Sequence, residues 1–252
     1  MDISVTPIDG INEKLKRANE NIVNLDREIA RFLKPYKHGI RPNKTVQAKI
    51  ATLRRLQAES ISPRFSVLAG EIIHHFRSCL DHIVWHLSRS TYRERFPDRI
   101  EFPVFVEQPR DKDKIARYHR KIHGIGSIAA LTMIEELQPY NGREPLDHPL
   151  SIIHNMDRFD KHRELVVVDH GVEWEFPPEL LAYAMRYANP QSGPMPKSIA
   201  IEFDKHLKLT PSIAFRQFGK RENQPVVPSL KSLESFVRHK VVARFDGELR
   251  KC

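Results

Sequence analysis

The chain has 252 residues, 40% of them hydrophobic and 29% charged, enough for a sizeable buried core and unlike a disordered, collagenous or disulfide-stapled composition. Forty-one Lys and Arg against 32 Asp and Glu leave a formal charge of +9. Such a surplus attracts polyanions over long range, nucleic acid first among them.

The longest uncharged stretch, Gly124 to Ile134, is too short to span a bilayer. The opening Met-Asp-Ile-Ser lacks the basic-then-apolar layout of a secretory leader. Cys79 and Cys252 form neither a disulfide framework nor a zinc spacing. The expectation is a cytoplasmic protein without membrane association or cofactor. Gly124-Ile-Gly126 lacks the third glycine and the preceding strand of a dinucleotide fingerprint, and there is no P-loop, HExxH, CxxC or GxSxG. These gaps argue against the common nucleotide-dependent transferases, zinc proteases and serine hydrolases.

Ile8, Ile11, Leu15, Ala18, Ile22, Leu25, Ile29 and Phe32 alternate three and four apart, a heptad seam on a helix that Pro35 ends. Such a seam needs a second long helix, from this chain or from another copy. Thr45 to Ala51 alternates like a strand, although Val46, Ile50 and Leu53 also fit a helix; strand is the expectation. A second helix spans about Ser66–Ser90, with Leu68, Ile72, Ile73, Phe76, Leu80, Ile83, Val84 and Leu87 as its apolar stripe.

Ile100 to Phe105 reads as a short extended segment, and a basic helix occupies about 110–123. Helices follow from the N-cap Ser127 to Gln138, and from Pro149 to about Glu164. Beyond it, Leu165–Val168, Val172–Phe176, Ile199–Phe203 and Ile213–Phe218 read as strands, with turns at Gly171 and Pro190–Pro196. Leu230, Leu233, Phe236, Val237, Val241 and Phe245 mark a last amphipathic helix. The fold class is α+β, mainly α: an antiparallel helical bundle (1–164), then a small antiparallel sheet and a C-terminal helix (165–252) packed on the bundle.

The second helix carries the chemistry. Glu71, His75, His82 and His86 lie along one border of its stripe; His74, Arg77 and Asp81 follow the other. Arg77-Ser-Cys-Leu-Asp-His82 has an Rx4H spacing and resembles the Rx4-6H signature of HEPN-type ribonucleases, with Ser78 where that family usually has Asn, Asp or His. The resemblance covers about one helix and at most the bundle. It implies a metal-independent endoribonuclease or RNA-binding protein acting as a homodimer, in a toxin or phage-defence setting.

On that reading His82 is the general base and Arg77 the phosphate clamp, with Asp81, Asp160 and His162 in support. An i, i+5 pair sits about 140° apart around a helix, so convergence on one phosphate calls for a second copy. Phe76-Arg-Ser-Cys-Leu-Asp-His82 and Asp160-Lys-His-Arg163 are also similar to the FRSxLDH and DKHR signatures of an uncharacterised bacterial family. That match bears on fold rather than on activity.

Two other readings stay open. Arg77 and Asp81 are an i, i+4 pair of opposite charge that can simply stitch a bundle in a non-catalytic binding or scaffold protein. Glu71, His75, His82 and His86 form a stripe that a helical metal enzyme could use, with acids from the 149–164 helix completing it. Six Lys or Arg against two Asp over 110–123 suggest an RNA-binding face of Lys114, Arg117 and Lys121 with Tyr118 stacking a base.

Overall fold

A computed structural model describes residues 6–41, 43–162, 168–188, 193 and 195–251, the side chains at 161, 162, 184, 187 and 188 excepted. The first part is helical: α1 (Pro7–Leu33), α2 (Val46–Gln57), α3 (Pro63–Leu87), α4 (Ser90–Arg95), α5 (Lys112–Ile122), α6 (Ile128–Glu136) and α7 (Pro149–His162). The second part comprises β1 (Val168–Glu175), α8 (Pro178–Ala188), α9 (Lys197–His206), β2 (Lys208–Phe218) and β3 (Arg221–Pro225). It ends with α10 (Val226–Phe236), a π turn (Val237–Val242) and α11 (Ala243–Leu249). The class is α+β, mainly α. Among the described residues no helix is long and apolar enough to cross a membrane.

The heptad seam of α1 finds its partners within the chain. Thr6 opens the helix through a capping box with Asp9, and Pro7 occupies the first turn. Ile11, Leu15, Ala18, Ile22 and Leu25 are then wholly buried, with α3 and α10 as the helices packed on α1. Of the two partners that the sequence left open, the seam takes the one within the chain.

The closing helix belongs to the same core. Leu233, Val237, Val241, Phe245 and Leu249 recur every four residues and are all buried. Steps of four on a regular α-helix precess by about 40° each, which would carry the stripe away from the core. The wider π turn at Val237–Val242 absorbs that drift. Ile213 and Phe215 of β2 join this core too, so one core runs through both segments that the sequence suggested.

Two segments expected to be strands are helices. Thr45 caps α2 by accepting the Ala48 N–H, and the Asp204 carboxylate of α9 accepts the Val46 N–H. In return the buried Lys49 donates from Nζ to the carbonyls of Leu207 (2.8 Å) and Asp204 (3.2 Å), at the C-terminal end of α9. Ile199–Phe203 lies within α9, where Ile199 and Phe203 share a face in a small second core and Ile201 points outward. The alternation in both segments matched either period, and reciprocal capping between distant helices decided for helix.

The sheet is antiparallel in the order β1-β2-β3. Gly171 lies inside β1, not in a turn, because it pairs with Ser212, where a Cβ would come within 2.6 Å of Oγ. A two-residue turn joins β2 to β3, with φ +67° at Gly219. Lys220 N–H donates to Asp147 (2.6 Å), tying this hairpin to the loop before α7. Residues 165–167 and most of Pro190–Pro196 lie outside the described residues.

Candidate functional site

Residues 101–105 run extended without joining a sheet, so side chains must satisfy their backbone. Arg77, 3% exposed, donates from Nη2 to the Phe102 carbonyl (2.9 Å) and to Asp81 (2.7 Å), and from Nε to Asp81 (3.1 Å). Asp81 in turn accepts the Phe102 N–H at 2.9 Å. The buried Gln138, named in the sequence only as a helix end, donates to the Pro103 carbonyl (2.9 Å) and accepts the Phe105 N–H (3.2 Å). Arg77 and Asp81 therefore clip the α3 helix to an extended strap.

The remaining Arg77 contacts are to Glu101 (3.5 Å) and, from Nη1, to His154 Nδ1 of α7 (3.4 Å). Asp160 does not meet Arg77. Its carboxylate sits over Gly70, where a Cβ would lie 2.6 Å from Oδ1, about two turns back along α3. Asp157 instead meets His74 Nδ1 at 3.0 Å. The His162 side chain lies outside the described residues.

His82 faces another way. It is half-buried with its ring 6.0 Å from that of His86, and burial and Lys14 of α1 lower its pKa. His75 shares this flank, its pKa lowered by burial and then by Lys14. Within one chain the structure does not bring Arg77 and His82 together, because α3 is unbroken between them. Among the described residues no three His, Cys, Asp or Glu side chains are grouped to hold a metal ion; Glu71, His75, His82 and His86 line a helix border without closing on a point.

Beside the strap lies a cleft of about 360 Å³ between α3, α5 and α7. Arg77, Asp81 and Glu101 lie along one side of it, Arg117 and Lys121 come from α5, and His154, Asp157 and Arg158 from α7. Lys121 pairs with Glu101 and is mostly buried. Burial and the Arg77 charge bring its pKa down to about 8. Burial, then Arg77, Lys121 and Arg158, push His154 down to about 4. His154, Arg158 and the paired state of Lys121 were not legible in the sequence, since only the crossing of α7 over α3 and α5 assembles them.

The basic α5 forms as expected, from the N-cap Asp111. Tyr118, however, is buried and donates its hydroxyl to Glu135 (2.7 Å). Burial and that bond push its phenol far above the usual range, and its ring packs on Phe105. Tyr118 cannot stack a base; on an amphipathic helix with few large residues it was needed for the core. Lys114 pairs with Glu107 and Asp111, whereas Arg117 lies over the Phe105 ring (5.3 Å) and has no ion pair among the described residues.

Next to α5 stands a ridge that sequence reading passed over. Arg89 N–H donates to the Gly124 carbonyl (3.0 Å), and Tyr92 donates its hydroxyl to the Arg120 carbonyl (3.0 Å), docking α4 on the end of α5. Arg93 covers the Trp85 ring, while Arg95 and Arg99 both lie over the Phe96 ring, at 5.2 and 4.5 Å. Among the described residues Arg89, Arg93, Arg95, Arg99 and Arg120 make no ion pair with a carboxylate. The signal was there as Arg89–Arg99, four arginines against Glu94 and Asp98.

The depressed histidines set a pH dependence. His75, His82, His86 and His148 are lowered by burial, and His154 most of all. Unfolding frees each to bind a proton near its ordinary value, so their contribution is complete above about pH 6.5 and is lost as pH falls toward the folded values. For His154, held at about 4, the drop from pH 7 to about 5 withdraws on the order of 2 kcal/mol. Urea unfolding across this window should show stability falling, with a shallower fall in His154→Gln. Parallel profiles would show that His154 is protonated in the folded chain.

Fold and site together define a mainly helical α+β protein with a cationic cleft beside an arginine ridge. The chain matches no family model, no curated protein and no solved structure.

Proposed function

We propose that this protein binds RNA through the arginine ridge of α4 and α5, as the non-catalytic member of the two readings that the HEPN-like resemblance carries. One observation carries it: Arg89, Arg93, Arg95, Arg99 and Arg120, on α4, the turn after it and the end of α5 on which α4 docks, have no carboxylate ion pair among the described residues. Unneutralised guanidinium groups on a rigid helical surface repel one another, and a phosphate backbone relieves that repulsion while releasing its counterions. Three of the five lie on aromatic rings, which hold planar guanidinium groups flat and ready for phosphate.

Cleavage asks for more than one chain supplies. A base and a phosphate clamp must reach the same phosphate, and Arg77 is committed to Asp81 and the Phe102 carbonyl. A second copy would have to bring His82 into the Arg77 cleft, by a surface other than the α1 seam.

Fluorescence anisotropy with a labelled single-stranded RNA tests the reading. Five phosphate contacts predict a loss of roughly 100-fold in affinity between about 50 and 200 mM salt. Arg95→Glu/Arg99→Glu/Arg120→Glu should abolish binding with an unchanged circular dichroism spectrum. RNA affinity that is insensitive to salt, or equal in the triple variant, refutes the ridge as the binding surface.

A further inference from the structure

Beyond the ridge, the cleft between α5 and α7 holds cations that the fold itself does not use. Arg77 and Lys121 have their carboxylates in Asp81 and Glu101, and Asp157 meets His74. Arg117 and Arg158, exposed at the mouth, have no ion pair among the described residues. They come from two different helices and line one cleft, Arg117 lying over the Phe105 ring as it does so.

The interior of the cleft points the same way. A guanidinium has five N–H donors. Asp81, Glu101, the Phe102 carbonyl and His154 take those of Arg77 on Nε and Nη2 and one on Nη1, leaving one Nη1 hydrogen. His154 accepts from Arg77 through Nδ1, which makes it a neutral ring with its N–H at Nε2, a further donor. The charged groups that line the cleft with it are Arg77 and Asp81 on α3, Glu101 on the strap, Arg117 and Lys121 on α5, and Asp157 and Arg158 on α7, while the paired Lys114 and Glu107 line an adjoining pocket that His154 shares. Cations outnumber acids in the cleft by four to three. The cleft is also large enough for one phosphate group with its first waters, and too small for a folded partner.

We propose that this cleft is a binding site for a phosphomonoester dianion, gripped by Arg117 and Arg158 at the mouth with Lys121 and His154 deeper in. Arg117 from α5 and Arg158 from α7 supply planar donor forks, suited to the oxygens of a terminal phosphate and poorly suited to a bridging diester that carries one charge. Burial first, and the neighbouring Arg77 charge after it, lower the proton affinity of His154 and Lys121 in the free protein, and a bound anion would oppose the second of these effects. A phosphorylated RNA end and a free nucleoside monophosphate share this chemistry. The first source rests on the RNA reading; the site itself does not.

Three oligoribonucleotides of one sequence, with a 5′-phosphate, a 3′-phosphate or hydroxyl ends only, are compared by anisotropy, and adenosine monophosphate and inorganic phosphate are titrated while the His154 ring proton is followed by NMR. One phosphorylated RNA should bind at least about tenfold more tightly than the hydroxyl-ended one, the scale of a single charge-assisted bond. Arg117→Gln/Arg158→Gln should erase that gain. The His154 signal should shift with adenosine monophosphate in the native chain and stay still in the double variant.

If the monophosphate shifts His154 but no RNA binds, the source is a free nucleotide, the cleft stands and the RNA reading falls. Equal affinity for all three RNAs, together with a His154 signal unmoved by millimolar monophosphate or phosphate, overturns the proposal.

Discussion

Arg77→Ala is expected to destabilise the fold by about 2–4 kcal/mol, read as a lower urea midpoint with an unchanged m-value. The side chain is 3% exposed and holds the Phe102 carbonyl while pairing with Asp81. Its removal strands that carbonyl and leaves a carboxylate without its cation. Asp81 is 32% exposed, so water recovers part of the cost and the figure stays below that of a fully buried pair. Arg77→Met/Asp81→Leu should regain part of the loss, because no charge is then left uncompensated. A full-stability Arg77→Ala would show that the clip is not what holds the strap. The consequence for function is direct: loss of any activity in that variant reports the fold first, and it is no evidence that Arg77 touches a phosphate.

Leu15→Ala is expected to cost about 2–5 kcal/mol, the range for emptying a buried leucine site. Leu15 is wholly buried in the seam that α3 and α10 cover. Light scattering on the folded fraction should show the same mass as the native chain, whatever that mass is. A variant of native stability that changes its mass instead would place α1 at an interface between copies and contradict the packing described above.

The long helices were legible because their signals are local. The three-and-four spacing from Ile8 to Phe32, Pro149 at the start of its helix and the capping residue Ser127 each act within a turn or two of themselves. The strand Ile213–Phe218 was visible for the same reason. Segments whose state depends on a distant partner were misread. Alternation at Thr45–Ala51 and Ile199–Phe203 suited both periods, and the choice fell to Lys49 and Asp204, which cap each other's helices across 155 residues of sequence. Gly171 looked like a turn because the serine opposite it, Ser212, is not near it in sequence.

The candidate site divides along the same line. That Arg77 and Asp81 lie on one border of α3, and His82 on the other, follows from helical geometry alone, and so does their failure to converge within one chain. So does the basic character of α5. What the sequence could not determine is which charges are already spent. Asp81, Glu101 and Glu107 neutralise Arg77, Lys121 and Lys114, and Glu135 draws Tyr118 into the core, whereas Arg117, Arg158 and the ridge arginines have no ion pair among the described residues. Charge pairing falls off within a few ångströms, and proximity across elements is a property of the packed chain. Composition and periodicity thus determined that the protein is helical, basic and built around α1 and α3; tertiary packing alone decided which of its positive charges find a carboxylate.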